Sequence, residues 1–174
     1  MKKWISTTAV LVLLFGTALM AADAVQEIDW DTLIPEDYRA EKIFEQFGNI
    51  DELEDDDPRT EELMKALEKA WSEAPIVQTL EGKKVKLPGF VVPLESDGKK
   101  VSEFLLVPYY GACIHVPPPP ANQTVLVTVP KGEASIRRAF DTVWVTGTMH
   151  TKTFKNDLAT AGYHLEAEDV TPYE

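Results

Sequence analysis

Cys113 and His115 stand two residues apart at the head of the run Cys113-Ile114-His115-Val116-Pro117-Pro118-Pro119-Pro120-Ala121-Asn122-Gln123. A thiol and an imidazole at that spacing can bind a soft metal or form a nucleophile with its base. In an extended chain their Cα atoms lie about 6.6 Å apart and both side chains project to one side, so sulfur and nitrogen can reach the same ion. Cys113 is the single cysteine of the chain, and an internal disulfide therefore does not explain it. The competing explanation is packing, because free cysteine is among the most buried residue types. Proline holds φ near about −65° and excludes helix, so Pro117, Pro118, Pro119 and Pro120 impose a stiff polyproline-II rail directly behind the pair.

Two protein ligands leave a tetrahedral zinc shell half empty. His150 is the first candidate to complete it, with Glu95, Glu103 and Asp141 as carboxylates near strand ends. Zinc is the expected ion, and copper is the alternative because Met149 adjoins His150. A shell of two or three ligands exchanges metal more readily than a closed one, which favours a carrier over a structural zinc. Catalysis ranks lower: the cysteine–histidine pair has no identifiable third residue to orient it. A third class of function is a non-catalytic adaptor. There Tyr109, Tyr110 and the four prolines form a contact surface for an exported or transporter-associated protein, and Cys113 merely packs.

These residues need a scaffold, and the chain changes texture at Pro75. Before it, Asp57 is a good N-cap and Pro58 suits the first helical position. Leu63, Leu67, Ala70, Trp71 and Ala74 then recur at helical spacing, predicting an amphipathic helix that ends before Pro75. After it, short β-rich runs alternate with glycine and proline. Strands are expected at Lys84–Pro93, Phe104–Tyr109, Thr124–Val129, Thr142–Thr148 and Tyr163–Val170, with turns at Ser96-Asp97-Gly98 and near Lys131-Gly132 and a short helix around Glu133–Phe140. Pro93 and Pro108 belong at an edge, bulge or strand end. The fold class is mainly β with α, and the architecture is a small OB-like β-barrel with an N-terminal helical extension. Alternation puts Val143, Val145 and Gly147 on one face and Trp144, Thr146, Thr148 and His150 on the other. It turns Tyr163, Leu165 and Ala167 inward and His164 and Glu166 outward, so His164 reads as a surface histidine.

Met1-Lys2-Lys3-Trp4, the apolar stretch Ile5–Met20 and the A-x-A pattern Ala22-Asp23-Ala24 read as a secretory signal peptide. The expected product begins at Val25, with cleavage after Ala18 as the alternative because Gly16 and Ala18 satisfy the same small-residue rule, and is soluble and exported, as in a periplasm. No later segment reaches the about 18 apolar residues needed to span a bilayer, so no stable membrane insertion is expected after cleavage. The domain plan is thus a signal peptide at 1–24, an acidic extension at 25–57 and a helix-plus-barrel domain at 58–174. Formal net charge is −12, which argues against nucleic acid and anionic lipid as partners. The excess is N-terminal: residues 25–60 hold 13 acidic and 3 basic side chains. Glu52–Asp57 lacks the ligand spacing and glycine of an EF-hand loop and reads as a solvated linker. Upstream, Asp29-Trp30-Asp31-Thr32-Leu33-Ile34-Pro35 resembles an anchoring turn, with Trp30, Leu33 and Ile34 free to dock on a core.

From Ala74 to Tyr173 the chain resembles an exported bacterial family known as domain of unknown function 3299. The resemblance rests on Leu80–Val85, Leu87–Glu95, Phe104–Pro108, the Cys113–Gln123 run and Val145-Thr146-Gly147-Thr148. It implies an accessory protein linked to ABC-type transporter parts and zinc-responsive gene clusters, hence periplasmic zinc handling. Only Cys113 and His115 carry over from it as candidate functional positions.

Overall fold

The computed structural model describes residues 24–39, 42–45, 57–96, 101–113, 118–129 and 139–173. Eight strands and two α-helices are assigned among them: β1 (Gln26–Glu27), α1 (Lys42–Glu45), α2 (Pro58–Ser72), β2 (Lys84–Ser96), β3 (Val101–Val107), β4 (Val125–Thr128), β5 (Thr142–His150), β6 (Phe154–Lys155), β7 (Thr160–Ala161) and β8 (Tyr163–Pro172). Five of the strands close on themselves in the order β2-β3-β4-β8-β5 and back to β2. Closure depends on the length of β2. Its first half, Lys84 to Phe90, pairs antiparallel with β5, and its second half, from Phe90 onward, pairs with β3. Register shifts beside Pro93 and Glu95 bend it, which agrees with the bulge position expected for a proline that cannot donate to a ladder. The parallel pairing of β4 with β8 completes the barrel, the small OB-like architecture expected from the sequence.

Alternating residues fill the interior as the sequence pattern requires. Val85, Leu87, Val91, Phe104, Leu106, Val125, Val127, Val145, Met149, Tyr163 and Leu165 are fully buried in one cluster. The β3 run Phe104–Val107 is buried on both faces. Leu105 and Val107 join Val92, Leu126, Ala159 and Ala161 in a second cluster outside the barrel wall.

Residues 26–33 of the acidic N-terminal stretch are built into this scaffold more deeply than its charge conveys. β1 pairs parallel with β2, and Leu33 is fully buried in the barrel core. The Asp29 carboxylate accepts from the Thr32 backbone N–H and hydroxyl at 3.0 and 2.6 Å, closing the turn that presents Leu33. Trp30 Nε1 donates to Pro88 O at 2.8 Å. Asp57 caps α2 by accepting from Arg59 N at 2.9 Å, an arrangement worth about 1 kcal/mol.

Several strand boundaries differ from the sequence expectation. β2 runs on to Ser96, β3 begins at Val101 rather than Phe104 and stops before Pro108, and β5 extends to His150. The two-residue strands β6 and β7 were not expected, because so short a hairpin has no periodicity. Asn156 organises it, its Oδ1 accepting from Leu158 N and Ala159 N, both at 2.9 Å. The helix expected at 133–140 and the turns at 97–98 and 131–132 lie outside the described residues, apart from a turn at Ala139-Phe140 whose Phe140 has φ +63°.

Candidate functional site

The segment after β3 turns sharply at Gly111 and Cys113, with φ of +85° and +67°. Residues other than glycine adopt that left-handed region at a cost of about 1–2 kcal/mol. The half-buried Cys113 packs against the outer apolar cluster of Val92, Leu105, Val107, Leu126, Ala159 and Ala161. Burial disfavours the charged thiolate and pushes the Cys113 thiol up to about 11. The sulfur is therefore protonated at neutral pH. His115 and Pro117 lie outside the described residues.

At pH 8 a thiol with a pKa of about 11 is only about 0.1% thiolate, against about a quarter for an unperturbed cysteine. The alkylation rate of the folded protein by iodoacetamide is therefore expected to rise about tenfold per pH unit from pH 7 to 10. A plateau below pH 9 would show the thiol to be activated instead.

The rail beyond Cys113 is tied to distant parts of the chain. Pro119 is buried, and Pro118 and Pro120 are half-buried. The Thr124 hydroxyl donates to Pro120 O at 3.2 Å. Asn122 Nδ2 donates to Pro75 O, and Gln123 Nε2 to Trp30 O, each at 3.0 Å. The two amides thus clamp the helix exit and the anchoring turn to the rail. Gly162 N donates to Ala121 O at 2.7 Å.

A groove of about 510 Å³ is lined by Pro118 and Pro119, by Met64 and Trp71 of α2 together with Glu61, Lys65 and Glu68, and by residues 155–160 around the β6–β7 turn, Leu158 and Ala159 among them. Met64 is 54% exposed and Leu158 43%. Such exposure of large apolar side chains around a concavity fits a binding surface better than a solvated one. Tyr109 and Tyr110 are also exposed, and Tyr110 is seated between Phe90 and Phe140 with ring centroids 6.1 and 4.9 Å away.

His150 belongs to a different neighbourhood. Gly82 N donates to Met149 O and Met149 N to Lys83 O, at 2.8 and 2.9 Å, fastening the turn before β2 to the end of β5. This places the Glu81 carboxylate where it accepts from Thr151 N at 2.6 Å, from the Thr151 hydroxyl at 2.8 Å and from His150 Nδ1 at 3.0 Å. Those donors, led by the Thr151 backbone N–H, hold the Glu81 carboxyl down at about 2.

The register of β5 on β8 sets His150 directly opposite His164, their ring centroids 5.8 Å apart. His164, read from the sequence as a surface residue, is only partly exposed, and its Nε2 is hydrogen-bonded to Thr128 Oγ1 at 2.8 Å. Burial first, and the neighbouring His150 second, lower its pKa. Glu103 lies on β3 opposite Thr128, Asp141 just before β5, and the Glu95 side chain lies outside the described residues. Among the described residues, no three or more His, Cys, Asp or Glu side chains are spaced to hold one metal ion. No helix among them is long and apolar enough to cross a membrane.

A family model described as "Protein of unknown function (DUF3299)" matches residues 30–172. A crystal structure of a DUF3299 family protein from Pseudomonas aeruginosa PAO1 is 40% identical to this chain. It covers 87% of this chain and 97% of its own, with a TM-score of 0.61. No curated protein matches the chain.

Proposed function

The chain belongs to the DUF3299 family, and we propose that it acts as a non-catalytic protein-binding module, working outside the cytoplasm after removal of its leader. The observation that carries this reading is the groove whose wall is Pro118 and Pro119 and whose rim is exposed Met64 and Leu158. A wall of proline costs little entropy to hold in place, and the amides of Asn122 and Gln123 tether it to Pro75 and Trp30. The occupant proposed is an extended apolar segment of an exported partner, such as a transporter subunit, with basic residues flanking it. Basic flanks complement Glu61, Glu68 and Asp157 of the lining, which outnumber Lys65 and Lys155. Cys113 then serves as packing, in keeping with its protonated thiol.

The test places a photo-crosslinking side chain at Met64 or Leu158 in living cells and titrates the purified captured partner against wild type, Met64→Glu and Leu158→Asp. Truncating or charging a central apolar contact typically costs about 2 kcal/mol or more, so each variant is expected to bind at least about tenfold more weakly with an unchanged melting temperature. Equal affinity across the three proteins would defeat the groove as the binding surface. A second reading, metal carriage, is favoured by the histidine pair on β5 and β8.

A further inference from the structure

We propose that His150 and Glu166, with Glu81 positioning the imidazole, bind a divalent first-row transition ion at the seam of β5 and β8. The cross-strand partners His150↔His164 and Thr148↔Glu166 put His150, His164 and Glu166 on the same outward face of the barrel. Nothing about this cluster involves Cys113 or the proline rail.

The chemistry starts at Glu81. A carboxylate that accepts from His150 Nδ1 at 3.0 Å keeps the ring hydrogen on that nitrogen, which leaves the Nε2 lone pair directed away from Glu81. Metal-binding histidines commonly donate their second ring nitrogen to a carboxylate in this way, which fixes the tautomer and raises ligand basicity. The two Thr151 donors hold Glu81 independently of the histidine, so the carboxylate is set before any ion arrives.

Nε2 lies 3.9 Å from Glu166 Oε2. That is too long for a hydrogen bond. It is a distance that one ion can span, since zinc bonds to nitrogen and to carboxylate oxygen at about 2.0–2.2 Å each. Water completes the shell, because both side chains face solvent: His150 is 33% exposed and Glu166 57%. His164 stays beside the site and outside the shell, its ring centroid 5.8 Å from that of His150 and its Nε2 bonded to Thr128 Oγ1. An imidazole–carboxylate donor set suits zinc, nickel and copper rather than calcium or magnesium.

The experiment titrates Zn²⁺, and separately Ni²⁺, into the metal-stripped full chain by calorimetry, and follows the histidine ring nitrogens by NMR. Wild type is expected to bind one ion, with the largest shift at His150 Nε2. His150→Ala and Glu166→Gln are each expected to lose at least about tenfold in affinity, and Glu81→Gln about 10- to 100-fold, as outer partners of ligating histidines do. In Glu81→Gln the NMR spectrum should also show His150 populating both tautomers, an effect that a merely structural role would not produce. Cys113→Ser should bind as wild type does. Absence of Zn²⁺ and Ni²⁺ binding by wild type, or loss of binding in Cys113→Ser with His150→Ala unaffected, overturns the proposal.

Discussion

Gly147→Ala is expected to unfold the barrel or to destabilise it by at least about 3 kcal/mol, the upper end of what overpacking usually costs. Gly147 is inside β5 at the register shift where that strand meets β8. A methyl group there would overlap Glu166 O and sit 2.8 Å from Glu166 C and 2.9 Å from Ala167 Cα. All three obstacles are backbone, so no rotamer change relieves them. Either the β5–β8 ladder opens or the bulge is rebuilt, and against a net stability of about 5–15 kcal/mol the loss is large. Gly82→Ala is the internal comparison. Gly82 has φ +72° and open space around its Cβ direction, so alanine there costs only the left-handed backbone penalty of about 1–2 kcal/mol. Urea unfolding followed by circular dichroism decides the matter, and equal midpoints for the two variants would mean that β5 and β8 do not approach as described.

Tyr163→Phe is expected to cost about 2–5 kcal/mol although it removes a single oxygen. The ring is fully buried. Its hydroxyl donates to Leu33 O at 2.7 Å and accepts from Val77 N at 2.6 Å. Without it the Leu33 carbonyl and the Val77 amide lose their partner in the interior, and each such orphan costs about 1–3 kcal/mol. Burial raises the Tyr163 pKa, with the Val77 N–H acting weakly in the opposite direction, so the hydroxyl is neutral and able to donate at any working pH. The anchoring turn and the segment after α2 are both pinned by this oxygen. Hydrogen exchange at the Val77 amide should therefore accelerate along with the drop in urea midpoint. Tyr110→Phe, at a position 68% exposed, should change neither, and a loss below about 0.5 kcal/mol in Tyr163→Phe would remove the bridge from the account of stability.

The local content of the sequence reached far. Period-two alternation assigned Tyr163, Leu165 and Ala167 to the interior and His164 and Glu166 to the outside, and it separated Val143 and Val145 from His150 on opposite faces of their strand. Proline geometry marked Pro93 and Pro108 as an edge, bulge or strand end without choosing among them, and the Asp57-Pro58 pair located the start of α2. Each of these follows from interactions within a few residues: steric limits on φ, a missing N–H, a side chain that reaches its own turn. The run Phe104–Val107, which has no polar residue, was legible as a strand, and its burial on both faces came from the fold.

What the tertiary structure decided is who faces whom. Alternation gives a residue its side of a strand but carries no register, because register is set by hydrogen bonds and core packing between segments far apart in the chain. The opposition of His150 to His164, the reach of Glu81 across 69 residues to His150 and the clash waiting at Gly147 all depend on it. The thiol of Cys113 followed the same rule: its type and its spacing from His115 were visible at once, whereas its protonation depends on burial against a cluster that includes Val92, Leu126, Ala159 and Ala161. Those side chains come from other parts of the sequence and gather only when the barrel closes.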